Sequence, residues 1–575
     1  MSSTTGVGDT YLVEGAYNLE ARMRDGTVLR ADVYRPDNTR RFPTLLCRTP
    51  YDKQLDVTVE IARKLAERGY VVVLQDVRGR YASDGEFRAG FYSNDVCDAQ
   101  DGYDTVEWAS GLPWSTGQVG TFGNSYCGWT QWELAPTRPP HLVTMMPQGI
   151  AANLIDRELC GVLRLGRVLW WTINSLSVDT RRRLGIDSPP QTLEEAEQIW
   201  QERDRNKWLW FLPLAEIPNE VMPGMGELFR RWLQDHTTDF FGFQEKHCQV
   251  DVPTLTTTGW YDQQIGAIKH FTGMTANGMT AHARSNQRLI IGPWTHTSAD
   301  WVSTVGDVDF GPEACRDYFH TADLWFRHWL KGEKNEVEEW PPIRLFLMGA
   351  NRWRSESEWP LARTVYTNFY LHSGGQANTP AGDGTLSLEP PTDEPSDEYM
   401  YDPRDPVMTL FTPGGQHAPL NQGGLSSRRD ILVYSTPPLE KPVEVTGPIT
   451  MKLWAASSAQ DTDFVVKLID VWPNGFAQEL CHGIVRARHR NGVDQPSLLK
   501  PNEVCEFTIT VNPTGNLFQP GHRIRIDVSS SDFPNFDRNH NTGGNDSFES
   551  TLLIARQTIF HDCARPSRVI LPVIQ

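Results

Sequence analysis

The sequence predicts an α/β domain built on a mainly parallel sheet, interrupted by a helical insertion and followed by a β-sandwich or jelly roll. Three observations carry that reading. Strand and helix signals alternate through the first third and resume after residue 245; the periodic segments between residues 149 and 245 are helical; and from Pro341 onward short β-branched runs are separated by Pro, Gly, Asn and Asp. Alternation argues for a sheet covered by helices on both faces. Many short strands with turn signals between them argue for a sandwich or jelly roll. The boundaries that follow are 1–148 and 246–340 for the two parts of the α/β domain, 149–245 for the insertion and 341–575 for the β domain.

In chain order, "LEARMRDGTVLRADVYRP" is two alternating runs joined at Asp25-Gly26, a hairpin signature. "FPTLLCRTP" and "YVVVLQDV" are short apolar runs of the kind buried in a central sheet, and "VTVEIARKLAERG" between them is a helix with Gly69 just past its end. In the insertion, Thr192 and Glu195 form a capping box before "EEAEQIWQERD". Strands resume with "VPTLTTTGWYD" and "QRLIIGPWTH", and a helix over "RDYFHTADLWFRHWLKG" places Tyr318, Ala322, Trp325 and Trp329 on one face. The β domain opens with "PIRLFLMG" and closes with "SRVILPV".

Composition excludes several functions. With 54 basic and 72 acidic residues the net charge is −18, which repels phosphate backbones and anionic lipid, so neither nucleic acid nor membrane is an expected partner. The N-terminus has no basic n-region and no apolar h-region, and no later stretch is long enough to span a bilayer; the expectation is a cytoplasmic protein. Nine scattered cysteines without a C-x-x-C pair read as reduced thiols rather than a structural zinc site, so neither a metal nor another cofactor is expected. A homodimer stays open.

Chemistry enters at "GTFGNSYCGW", residues 120 to 129. Ser125 stands at a strand-to-helix passage, where α/β-hydrolases carry their nucleophile, although Cys127 replaces the second glycine of G-x-S-x-G. The position two beyond the nucleophile must be small for the elbow to approach its neighbours, and cysteine is small. Cys127 is a rival nucleophile, but a place in the first helical turn aims it at the core. A serine needs a base, and the base needs a carboxylate, in the chain order serine, acid, histidine. Asp262 follows the strand "PTLTTTGWY" and His296 follows "RLIIGPW".

The segments "CRTPYDK", "LQDVRGRYASDGEF", "DGYDTVEWASGLPWSTGQVGTFGNSYCGWTQW", "GWYDQQIG", "IIGPWTH" and "GHRIRIDVSSSDFPNFDRN" resemble the cocaine esterase / X-Pro dipeptidyl-peptidase family of serine hydrolases. The resemblance runs from the N-terminal hairpin to the last strands and is weakest over the insertion. It implies an α/β-hydrolase domain with a helical cap and a C-terminal jelly roll that helps wall the acyl pocket. The family form of the elbow is G-x-S-Y-x-G, so Ser125 is the implied nucleophile and Asp262 and His296 complete the triad. The backbone N–H of Tyr126 and the phenol of Tyr51 are the implied oxyanion hole. Trp170, Trp171, Gln264 and Phe411 are the candidates for the substrate pocket. In the α-amino ester hydrolase branch, carboxylates two and three places after the triad aspartate bind the substrate ammonium. Gln264 and Ile265 stand there, which points to an uncharged acyl group. The expected activity is cleavage of a small-molecule ester or amide through an acyl-enzyme. The rival activities are release of X-Pro dipeptides and acyl transfer by the same triad; a binding protein on a dead scaffold is the rival outside enzymes.

Overall fold

A computed structural model describes residues 10–88, 97–152, 161–235, 242–262, 264–296, 302–411 and 417–575. The chain opens with strands β1 (Val13–Arg22) and β2 (Val28–Pro36), the hairpin that Asp25-Gly26 announces, with Gly26 at φ 89°. There follow β3 (Phe42–Thr49), α1 (Asp56–Ala66), β4 (Val71–Asp76), α2 (Asp98–Ser110), β5 (Ser115–Asn124), α3 (Tyr126–Leu134) and β6 (Leu142–Gln148). After the insertion come β7 (Thr254–Tyr261) and β8 (Gln287–Thr295).

Strands β3 through β8 are parallel, in the order β4-β3-β5-β6-β7-β8. Every residue of β3, β4 and β7 is buried, as a sheet covered on both faces requires. Alternate side chains divide between the two faces. Leu45, Val72 and Leu74 pack with Ala62 and Leu65 of α1, whereas Leu46, Val71 and Val73 pack with Val106 of α2 and Trp129 of α3.

One strand lies elsewhere than the sequence suggests. Ile343–Leu347, read as the opening of the β domain, is β9 of the first sheet, parallel to β8, and Arg352–Glu356 is an antiparallel β10 at its edge. The hydrogen-bonded sheet of the α/β domain therefore runs past residue 341 to Glu356. The pattern that marks a strand is local, but the sheet it joins is set by distant partners.

The described part of the insertion is helical, as predicted. It contains α4 (Leu165–Trp170), a π-helical turn over Trp171–Leu176, α5 (Ser177–Arg183), α6 (Leu193–Ile199) and α7 (Gly226–Asp235). Thr192 caps α6 by accepting from the Glu195 N–H, while the Glu195 carboxylate reaches the N–H of Gln191 rather than that of Thr192. Past the insertion, α8 (Gln264–Asn277) follows β7, and α9 (Tyr318–Lys331) buries Tyr318, Ala322 and Trp325, with Trp329 half-buried at its edge.

From Thr364 onward the chain forms a second sheet that closes on itself, since Arg568–Ile574 pairs with both Thr364–His372 and Val443–Ser457. Closure encloses a large apolar core that includes Ile449, Leu453, Leu468, Ile526 and Leu571, and leaves Asp397–Tyr401 as an edge strand outside the ring. Among the described residues the cysteines are free thiols, and no helix is long and apolar enough to cross a membrane.

Candidate active site

Ser125 sits between β5 and α3 with φ 58°, in the left-handed region that only a tightly constrained turn imposes on a residue bearing a side chain. Close packing enforces the turn. The Ser125 N–H donates to the Gln148 carbonyl at 3.0 Å, and its own carbonyl accepts from Gly128 and Trp129. A Cβ on Gly123 would lie 2.5 Å from the Cys127 Cβ, and one on Gly128 would lie 2.9 Å from the Gln148 carbonyl oxygen. The neighbouring strand is therefore approached by Gly128, three residues beyond the serine, and Cys127 turns inward as expected. It is buried against Cys47, whose thiol is pushed well up by the Cys127 sulfur and by burial.

Asp262 and His296 follow the ends of β7 and β8. The His296 Nδ1–H donates to Asp262 Oδ1 at 2.6 Å. On the other side of the ring, Arg167 Nη2 lies 2.9 Å from His296 Nε2. A guanidinium can only donate, so Nε2 carries the lone pair and Nδ1 the proton. That is the neutral tautomer a base beside serine must have. Burial holds the imidazole below its ordinary pKa, and Arg167 and Arg164 add to that, while Asp262 opposes it.

Two residues support the pair from behind. The Asn124 side chain donates to the His296 carbonyl at 3.1 Å. Gly149, with φ +51°, leaves the space that the pair needs: a Cβ there would stand 2.6 Å from Asp262 Oδ2 and 3.2 Å from His296 Nδ1.

Tyr51 follows β3. The Trp171 indole N–H donates to the Tyr51 oxygen at 3.1 Å, which leaves the phenolic hydrogen as the proton Tyr51 has to give. Burial, helped by the Cys127 sulfur, pushes the phenol up to about 12, so it stays protonated. Buried Arg80 ties this loop to the cap, donating to Pro50 O at 2.9 Å and to Leu176 O at 2.9 Å. Tyr126 opens α3, and its phenol is anchored on Asp98 at 2.9 Å, itself held by Arg48 at 3.1 Å.

The pocket candidates divide. Trp171 reaches Tyr51. Trp170 turns its indole N–H to Glu197 Oε2 at 2.7 Å on α6, within the cap. Gln264 opens α8, and its side chain lies outside the described residues. Phe411 is half-buried two residues beyond Thr409, which donates to Phe533 O in the β-domain loop beneath the cap. Sequence reasoning missed Arg167, Asn124 and Gly149. Asn124 adjoins the predicted elbow and could have been suspected; Gly149 follows β6, a strand that the sequence reading did not name, and nothing local marks the arginine.

Two family profiles match the chain: "X-Pro dipeptidyl-peptidase (S15 family)" over residues 25–298 and "X-Pro dipeptidyl-peptidase C-terminal non-catalytic domain" over residues 335–570. The chain is 36% identical to the cocaine esterase of Rhodococcus sp. (strain MB1 Bresler), covering 98% of this chain and 100% of that protein. It shares its fold with an aminopeptidase from a marine sediment archaeon (Thaumarchaeota archaeon), at TM-score 0.82 and 22% identity over 100% of this chain and 98% of that one. A crystallised α-amino acid ester hydrolase superposes at TM-score 0.78 and 24% identity, with 100% of each chain covered.

Proposed function

The chain belongs to the cocaine esterase and X-Pro dipeptidyl-peptidase (S15) family of serine hydrolases, and from that membership we propose that it hydrolyses a carboxylic ester through an acyl-enzyme on Ser125. The observation that carries the reading is the orientation of His296, with Nδ1–H on Asp262 and the Nε2 lone pair turned outward. Ser125 Oγ attacks the substrate carbonyl carbon while its proton passes to Nε2. The carbonyl electron pair moves onto oxygen, where the Tyr126 N–H and the Tyr51 O–H receive it. Collapse expels the leaving group, which takes the proton from Nε2. Water then repeats the sequence on the acyl-enzyme and releases the acid.

Esters are favoured over X-Pro peptides because a relative 36% identical over 98% of this chain is an esterase. A dipeptidyl-peptidase would also need an anion for a free amino terminus, and Gln264 and Ile265 supply none where the α-amino ester hydrolase pattern has carboxylates. Ser125→Ala tests the assignment. Loss of a triad member costs on the order of a million-fold in turnover. A folded variant that kept several per cent of the activity would place the nucleophile elsewhere, with Cys127 the next to test.

A further inference from the structure

The buried guanidinium of Arg80 donates to backbone on two sides of the site. Its Nε–H donates to the Pro50 carbonyl at 2.9 Å, so it holds the peptide that leads into Tyr51. Its Nη1 donates to the Leu176 carbonyl at 2.9 Å and its Nη2 to the Ser175 carbonyl at 3.2 Å, the last two residues of the π-helical turn that Trp171 opens. Trp171 in turn donates its indole N–H to the Tyr51 oxygen at 3.1 Å. One guanidinium thus holds the backbone on both sides of that contact. We propose that Arg80 is a positioning residue for the hydrolysis: it locks the cap to the Tyr51 loop, so that the Tyr51 O–H is aimed at the developing oxyanion before substrate arrives. The proposal rests on the oxyanion-hole reading given above.

The rest of the loop is fixed without the cap. The Val77 N–H donates to the Thr49 carbonyl at 3.0 Å, and Asp76, the last residue of β4, accepts from the Lys53 N–H at 2.8 Å and from the Lys53 ammonium at 3.1 Å. The chain on either side of Tyr51 is thereby tied to the sheet. What the sheet does not set is where the cap, a separate insertion, stands against the tyrosine, and that is the gap Arg80 spans. Its surroundings suit the task. Arg80 is 1% exposed, so water competes little for its carbonyls. The guanidinium lies 5.2 Å from the Tyr81 ring centre and 5.1 Å from that of Phe87, while Asp179 Oδ2 on α5 stands 3.7 Å from Nη1 and balances its charge. Thr180 Oγ1, also on α5, accepts from Nη1 at 3.5 Å. A planar fork sends its donors in fixed directions, which a lysine ammonium on a flexible stem cannot do. π-Helical turns widen a helix and recur at functional sites; here the turn supplies both cap carbonyls.

The test compares Arg80→Lys, which keeps the charge and loses the fork, with Arg80→Met, which keeps the bulk and loses every donor. Each is made alone and together with Tyr51→Phe. Rates with 4-nitrophenyl butyrate are taken per active site titrated to completion by a fluorophosphonate, so that a partly folded preparation is not counted as a slow enzyme. A misplacement near 1 Å costs about a hundred-fold, and removing an oxyanion donor outright about a hundred- to a thousand-fold, so kcat per titrated site should fall by about 10- to 100-fold with KM little changed. Tyr51→Phe takes away the group that Arg80 aims, and the double variants should then be no slower than Tyr51→Phe alone. A kcat per site within twofold of wild type in a folded Arg80 variant overturns the proposal. So does a loss that recurs at full size in the Tyr51→Phe background. If neither Arg80 variant folds, Trp171→Phe decides, because it deletes the cap's own donor to Tyr51: its kcat should fall in the wild-type background and not in Tyr51→Phe, and undiminished turnover overturns the proposal. A near-normal kcat in Tyr51→Phe itself refutes the oxyanion-hole reading beneath, whereas a slow Tyr51→Phe beside a fast Arg80→Lys refutes this inference alone.

Discussion

Gly149→Ala should damage catalysis although residue 149 carries no functional group. A Cβ there would meet Asn124 Oδ1 at 2.5 Å, Asp262 Oδ2 at 2.6 Å and His296 Nδ1 at 3.2 Å. Carbon and oxygen in van der Waals contact stand at roughly 3.3 Å or more, so Asp262 and Asn124 must each give by about 0.7 Å, on the scale of ordinary packing distances. Both hold His296 in place: Asp262 holds its ring at 2.6 Å and Asn124 its backbone carbonyl at 3.1 Å. A misplacement near 1 Å costs about a hundred-fold in rate. The φ of +51° adds strain of about 1–2 kcal/mol for a residue with a Cβ, and forced packing about 1–3 kcal/mol more. The expected variant therefore melts several degrees lower and loses about a hundred-fold in kcat, with KM little changed. Initial rates with a 4-nitrophenyl ester and a melting curve measure both. A double variant with Asp262→Asn locates the effect: if Gly149 acts through the Asp262–His296 pair, the double variant is no slower than Asp262→Asn alone. A kcat within twofold of wild type, or losses that add, would show that residue 149 does not act through the Asp262–His296 pair.

Tyr51→Phe should lower kcat by about a hundred- to a thousand-fold with KM near its original value, as loss of one oxyanion donor does. The Trp171 indole also loses its acceptor, so the melting temperature should fall modestly, and a near-normal kcat would remove Tyr51 from the oxyanion hole. In the pH profile, kcat/KM should fall on the acid side with an apparent pKa below the usual 6.5 of histidine, because burial, Arg167 and Arg164 all disfavour the imidazolium. Removing the Arg167 charge takes away one of those forces, so in Arg167→Gln the acid limb should move to higher pH; a limb that moves lower or stays put contradicts the 2.9 Å contact.

Much of the site was legible because its residues sit where local patterns end. Ser125, Asp262 and His296 each follow an apolar run long enough to read as a buried strand, and in a parallel sheet those ends converge on one edge. The small-residue argument for the elbow was right in kind but placed one residue early: Gly128, not Cys127, faces the Gln148 carbonyl. Arg167 could not be read, because an amphipathic insertion helix shows which face is apolar but not which loop that face covers. Its position depends on the β-domain loop at Pro534 and Asp537, more than 360 residues away in sequence. The same limit sent Ile343–Leu347 to the wrong sheet.

Every step proposed for this site passes through Ser125 as the nucleophile. A fluorophosphonate probe adds to an activated serine hydroxyl and tests it directly, with intact-mass measurement and peptide mapping as the readout. One adduct per chain is expected, located at Ser125, formed in step with loss of esterase activity and suppressed by His296→Ala, which removes the base. Full inactivation with the adduct on another residue, Cys127 above all, or labelling of Ser125 that leaves turnover intact, would contradict it.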